Sequence, residues 1–161
     1  MNDLQLMFQA PVASGILLIT IITSLRAFKD GNLMYKFIFS PYRLVHHKEY
    51  QMLFSSALIH ANYMHLIFNM LVFYFFAFSL EINLGHIQFL ILYLGSVMLS
   101  HLPRVVLDRD NEFYSALGAS GGVSAIVMSM ILLYPDMRLS LFGIINDIPG
   151  WLFGLLYMAF S

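Results

Sequence analysis

The sequence predicts an all-α membrane protein, a polytopic helical bundle of about five transmembrane segments in a single domain. Of 161 residues, 60% are hydrophobic and only 11% are charged, an apolar excess beyond what a soluble core of this size takes up. The charges are clustered: Asp3, Arg26 to Asp30, Lys36 to Glu49, Glu81, Arg104 to Glu112, Asp136 to Arg138, and Asp147. Between them run uncharged stretches at 4–25, 50–80, 82–103 and 113–135, with a shorter fifth at 148–161. Each of the first four supplies the roughly 20 residues a spanning helix needs.

Net charge of −1 gives no footprint for nucleic acid or an acidic partner, and the lack of cysteine excludes disulfides and thiol chemistry. The first apolar segment has no basic residues ahead of it, so it reads as a span and not as a cleaved signal peptide.

The first span, near Gln9 to Leu25, carries Pro11 in its opening turn and holds no group able to do chemistry, so it is read as scaffold. Residues 28–50 then mix Lys29, Lys36, Arg43 and Lys48 with large apolar side chains, broken at Gly31 and Pro41. That is the pattern of a loop in the membrane interface, its long cations reaching to water. His46 and His47 lie there without a third ligand at metal spacing, so they are read as solvated and no metal is expected.

The second span opens with His60-Ala61-Asn62-Tyr63-Met64-His65-Leu66-Ile67-Phe68-Asn69. Polar side chains in a span are costly and therefore suspect. His65 and Asn69 are i and i+4, on one helical face; they are either paired donors at a site or an interhelical hydrogen bond serving assembly. On a continuous helix His60 would stand about 140° away from His65, which places it in the preceding loop, and Asn62 is the expected N-cap of a helix starting at Tyr63. Glu81 and Gly85 mark a short turn. The third span follows from about Ile87 to Leu102, with Tyr93, Gly95 and Ser96 at packing positions and His101 at its interfacial end.

The fourth span opens with Tyr114-Ser115-Ala116-Leu117-Gly118-Ala119-Ser120-Gly121-Gly122-Val123. Two readings compete. The glycines relax the backbone limits around Ser120, so its hydroxyl could face a cavity beside free helix N-terminal amides able to stabilise an oxyanion. Alternatively Gly118, Gly122, Ala125 and Ser129 are a small-residue stripe for packing in lipid. If the spans alternate in direction, the starts of the second and fourth meet on one side of the membrane. Ser120, His65 and Asn69 then give a nucleophile with two oxyanion donors, the set acyl transfer needs.

These residues resemble the rhomboid family of intramembrane serine proteases. The family pattern is His-x-x-x-x-His-x-x-x-Asn in the second core helix and Gly-x-Ser-Gly opening the fourth, matched here by His60, His65 and Asn69, then Gly118, Ser120 and Gly121. The likeness runs from the first span into the fifth. It implies that Ser120 is the nucleophile, that the oxyanion hole is the Ser120 amide with the His65 and Asn69 side chains, and that His60 supports the loop; Gly118, Gly121 and Gly122, lacking side chains, are expected to pack closely around Ser120. Glu81 and Gly85 fall where the family often has Glu-x-x-x-Gly.

The departures are Gln51-Met52 where the family often has Trp-Arg, Ser124 where many members carry an aromatic, and the general base. In the family that base is a histidine on a sixth helix, and no histidine follows His101 in this sequence.

The resemblance thus implies an intramembrane serine endopeptidase that cleaves transmembrane segments of other membrane proteins, needs no cofactor, and works in the lipid bilayer as a multi-pass protein of a bacterial cytoplasmic membrane. Residues 1–161 would be one rhomboid-like transmembrane domain, C-terminally incomplete and inactive alone for want of its base. The other readings are a non-cutting binding protein of the same fold, and a transporter or channel lined by His65 and Asn69. A last expectation conflicts with the family: Arg26, Lys29, Lys36, Arg43, Lys48, Arg104 and Arg109 fall on the motif side and only Arg138 on the other, which by the positive-inside rule puts the motif side in the cytoplasm.

Overall fold

The computed structural model describes residues 3–141 and 145–160. In chain order its elements are α1 (Asp3–Gln9), α2 (Pro11–Ala27), α3 (Gly31–Phe37), α4 (Pro41–His47), α5 (Met52–Ser55), a 3₁₀ turn (Ser56–Leu58), α6 (Tyr63–Leu84), α7 (His86–Leu107), α8 (Ser120–Leu133), the strands β1 (Arg138–Leu141) and β2 (Ile145–Pro149), and α9 (Gly150–Phe160). The helical bundle is as expected. The short antiparallel hairpin β1–β2, pairing Arg138 with Pro149 and Leu139 with Ile148, is an addition to it.

Each long helix starts where local chemistry lets it. Pro11 opens α2, where a missing N–H costs nothing. The next two amides of α2, Val12 (3.1 Å) and Ala13 (2.6 Å), donate to the fully buried carboxylate of Glu81 from the far end of α6. A negative group at a helix N-terminus satisfies orphan donors and complements the dipole. His86 Nδ1 closes on the same carboxylate at 2.6 Å. Glu81 is therefore a buried cap inside α6, where the sequence reading made it the marker of a turn.

The turn itself is one residue, Gly85, at φ 93°, a conformation that costs a glycine nothing. It folds α7 back along α6. Asn62 caps α6 as expected, its side chain accepting from the His65 amide at 2.8 Å.

The core is built from α6 and α8, with α2, α7 and α9 around them, and includes Phe73, Phe76, Leu80, Phe89, Tyr93, Val123, Ile126 and Val127. Outward faces are also apolar: Phe68 and Phe75 on α6 and Ile87, Ile91, Leu99 and Val106 on α7 are all exposed, as lipid-facing side chains are. By length and composition α6 and α7 suffice to cross a membrane, whereas the apolar α2, α8 and α9 are shorter. The five apolar segments of the sequence thus correspond to two full-length and three short helices among the described residues.

The 28–50 segment, expected as an interfacial loop, folds into α3 and α4, and α5 and the 3₁₀ turn continue it to residue 58. Asp30 caps α3 and Ser40 caps α4 through their side chains. Arg43 is buried and anchors the segment from within, donating to the Ile38 carbonyl at 2.7 Å and lying over the Tyr35 ring. Met52 is also fully buried, its sulfur accepting from the Ser40 amide at 3.3 Å. The segment therefore has anchors of its own where Gln51-Met52 replaces the family's Trp-Arg.

Candidate active site

The chain reaches Ser120 along a path fixed by backbone bonds. Phe39 and Ala116 exchange both amide–carbonyl bonds, at 2.9 and 3.0 Å, and Gly118 N–H donates to the Ser56 carbonyl at 2.9 Å. These contacts pin residues 116–118 to the 39–56 segment, at the end of the bundle where α6 begins. Gly118 then turns the chain at φ 112° and α8 starts at Ser120. At a helix start the first amides have no partner in the helix, and the Ser120 N–H lies there, at the positive end of α8.

The histidine before α6 is wholly committed. His60 is fully buried. Its Nε2 accepts from the Ala119 amide at 3.4 Å, so the ring proton sits on Nδ1, which faces Ser24 Oγ at 3.0 Å. The Ser24 hydroxyl in turn donates a hydrogen bond to the Leu58 carbonyl. Burial, and then the neighbouring His65, push the His60 pKa down to about 3, so the ring stays neutral. It holds the residue just before Ser120 and has no nitrogen left for chemistry.

His60 lies in the loop ahead of α6, where the sequence reading placed it, and off the helix its ring meets that of His65 edge to face, with centroids 5.0 Å apart.

His65 and Asn69 share the face of α6 turned to Gly118. A Cβ on Gly118 would come within 2.9 Å of His65 Cε1, 3.1 Å of His65 Nε2 and 3.7 Å of Asn69 Nδ2. Only a glycine therefore lets the chain pass so close to both side chains two residues before Ser120. Asn69 is buried, and its Oδ1 accepts from Tyr157 Oη at 2.6 Å. Among the described residues its Nδ2 has no hydrogen-bond partner.

Gly121 and Gly122 bring α8 onto α7. A Cβ on Gly121 would collide with Ser100, and one on Gly122 would lie 2.5 Å from Tyr93 Cε2. Gly118, in contrast, precedes α8 and is no part of a helical stripe.

Other sequence candidates fall elsewhere. His46 and His47 are exposed, His46 bonded to Asp110 at 3.0 Å. His101 does not end its helix: α7 continues through Pro103 to Leu107, and the ring is buried, stacked on Phe39 at 4.0 Å with Nε2 against Ser56 Oγ at 3.0 Å. A cavity of about 580 Å³ lies between α3, α4 and residues 112–115 and includes Ser115, five residues before Ser120. Sequence reasoning missed Tyr157, which lies in the shorter fifth segment. Its signal was there: Gly154 and Tyr157 are i and i+3, one small and one polar-tipped residue on one face.

Comparisons with known proteins bear on this arrangement. A family model described as the rhomboid domain matches residues 47–161. Over 85 residues the chain is 33% identical to a Bacillus subtilis (strain 168) protein named "Putative rhomboid protease YdcA". The aligned part is 52% of this chain and 43% of that protein, so the match spans less than half the length of the relative.

Proposed function

The chain belongs to the rhomboid family, and from that premise we propose that it is an intramembrane serine endopeptidase acting on transmembrane segments of other proteins, with residues 1–161 as one rhomboid-like domain spanning a bacterial cytoplasmic membrane several times. Ser120 is the nucleophile. Its Oγ attacks the scissile carbonyl carbon, and the carbonyl oxygen takes up the negative charge. The Ser120 amide, His65 and the Asn69 carboxamide donate to that oxygen, in a site where low dielectric makes such donors strong. The Ser120 proton passes to a base and then to the leaving amine, after which water hydrolyses the acyl-enzyme.

The observation that carries this reading is the packing of bare Gly118 on both His65 and the unpartnered Asn69 Nδ2, two residues before Ser120. One observation favours a second reading, a rhomboid-fold protein that binds membrane clients without cutting them. Both ring nitrogens of His60 are engaged and His101 is held by Ser56 and Phe39, so neither is placed to take the serine proton. In the protease reading that base is a histidine of a sixth helix, as the resemblance implies.

The test reconstitutes this chain, and the same chain joined to a sixth helix bearing histidine, in lipid with a fluorogenic transmembrane substrate. Each is compared with its Ser120→Ala variant. The extended chain is expected to turn over and to lose about 10³-fold or more on Ser120→Ala, while the 161-residue chain shows no turnover that needs Ser120. Turnover by the extended chain that survives the alanine defeats the protease reading. Tight binding with no turnover at either length selects the binding protein.

A further inference from the structure

We infer that Tyr157 is a positioning residue for the oxyanion hole: its hydroxyl fixes which end of the Asn69 carboxamide faces the site. A carboxamide has an acceptor end and a donor end of nearly the same shape, and only the donor end can stabilise an oxyanion. Turned by 180° about its last bond, Asn69 would present a carbonyl oxygen and repel the charge it has to bind.

The structure selects the orientation. Tyr157 Oη donates to Oδ1 at 2.6 Å, and both side chains are buried, Asn69 at 3% and Tyr157 at 8% exposure. The tyrosine proton engages the oxygen and thereby sends Nδ2 the other way, toward Gly118, where an added Cβ would stand 3.7 Å from it. Nδ2 is left without a partner among the described residues. A buried donor without a partner is costly, and an arrangement that keeps one aimed at a nucleophile's segment has a use for it when an acceptor arrives.

The fold delivers Tyr157 to that place by close packing. Gly154, one turn earlier on the same face of α9, has no side chain, and a Cβ there would stand 2.5 Å from Ile131 Cδ1 and 3.3 Å from Met128 Sδ of α8. Phe153 stacks on Phe76 of α6 at 5.5 Å. Thus α9 is held against α8 and α6 together, with Tyr157 reaching between them.

This inference rests on the proposed protease reading, and its test separates the two. Tyr157→Phe keeps the ring and removes only the hydroxyl. In the extended, sixth-helix form reconstituted in lipid, kcat on the fluorogenic transmembrane substrate is expected to fall about 10- to 100-fold, short of or equal to the loss on removing an oxyanion donor outright. KM should stay within about twofold. Asn69→Ala should fall at least as far, and the Tyr157→Phe/Asn69→Ala double variant no further than Asn69→Ala alone, because the tyrosine acts only through that amide.

A tyrosine that merely holds α9 in place would instead give losses that multiply in the double variant, and that result overturns the proposal, as does an unchanged kcat in Tyr157→Phe. Asparagine-selective ¹⁵N spectra of the protein in micelles give a readout apart from turnover: the Asn69 side-chain amide resonances should shift in Tyr157→Phe, and identical spectra also overturn it. If the parent's turnover is indifferent to Ser120→Ala, the protease reading falls first, and the spectra then report only on the contact.

Discussion

At the scale of the residue, His60 shows how a polar side chain is tolerated at a membrane protein's core. It is neutral, and each ring nitrogen has a partner, Ser24 on one side and the Ala119 amide on the other. The folded ring titrates near 3, against 6.5 for an unhindered imidazole. Between those values the unfolded chain holds a proton that the folded chain does not, so stability rises with pH across the window. The contribution is complete above about pH 6.5 and is lost as pH falls toward 3, with a limiting slope for one such group of about 1.4 kcal/mol per pH unit. In detergent the melting temperature should therefore drop on acidification from pH 7 to pH 4, and His60→Gln should start lower at pH 7 and follow a flatter pH dependence. Parallel curves for the two proteins would show that His60 is not the titrating group.

At the scale of the element, the glycines of α7 and α8 divide by what stands opposite them. Among the described residues nothing lies within 4 Å of a Cβ added at Gly95, whereas one at Gly121 would be 2.6 Å from Ser100 Cβ. Gly95→Ala should then stabilise α7 by up to about 1 kcal/mol through helix propensity alone. Gly121→Val should destabilise by about 1–3 kcal/mol through overpacking, and thermal unfolding in detergent reads both signs. The sequence reading had put Gly95 among the packing positions, and only the facing surface tells the two glycines apart.

The same limit marks what could be read from sequence elsewhere. The starts of α6 and α8 were legible because their determinants are local: Asn62 as cap, and an uncharged run opening at a glycine-flanked serine. The role of Glu81 was not, since its partners are amides 68 and 69 residues away. Nor was the setting of His101, which depends on α7 continuing past Pro103 and on Phe39 folding over it. Of the candidate site, the cluster of His65, Asn69 and the Ser120 segment was visible in motif spacing. The Tyr157 contact was not, because it joins α9 to α6 across 88 residues.

At the scale of the whole molecule, the charge distribution and the fold make opposite claims about orientation. The structure gathers residues 28–58 and 108–119 at one end, through the Phe39–Ala116 exchange and the His46–Asp110 contact. The other end carries Gly85, the Tyr134–Asn83 bond and the β1–β2 hairpin. Seven of the eight cations thus belong to the Ser120 end, which by the positive-inside rule would face the cytoplasm. Several of them have structural employment, however. Arg43 is buried under Tyr35 and beside Glu49, Arg104 bonds Asp108 and covers Tyr114, and Arg109 contacts Asp110. Cations held by tertiary contacts are accounted for by folding and give less weight to a topological signal. The orientation expected is therefore the one the family likeness implies, with the Ser120 end away from the cytoplasm. Because the chain has no cysteine, single cysteines can report it cleanly. Lys29→Cys, exposed at the Ser120 end, should react with a membrane-impermeant maleimide applied to intact bacterial cells whose outer barrier has been opened, and Asp136→Cys, exposed at the other end, only after lysis. The reverse pattern would show that the positive-inside rule prevails and that the site opens to the cytoplasm, and labelling of both in intact cells would contradict the two-ended arrangement itself.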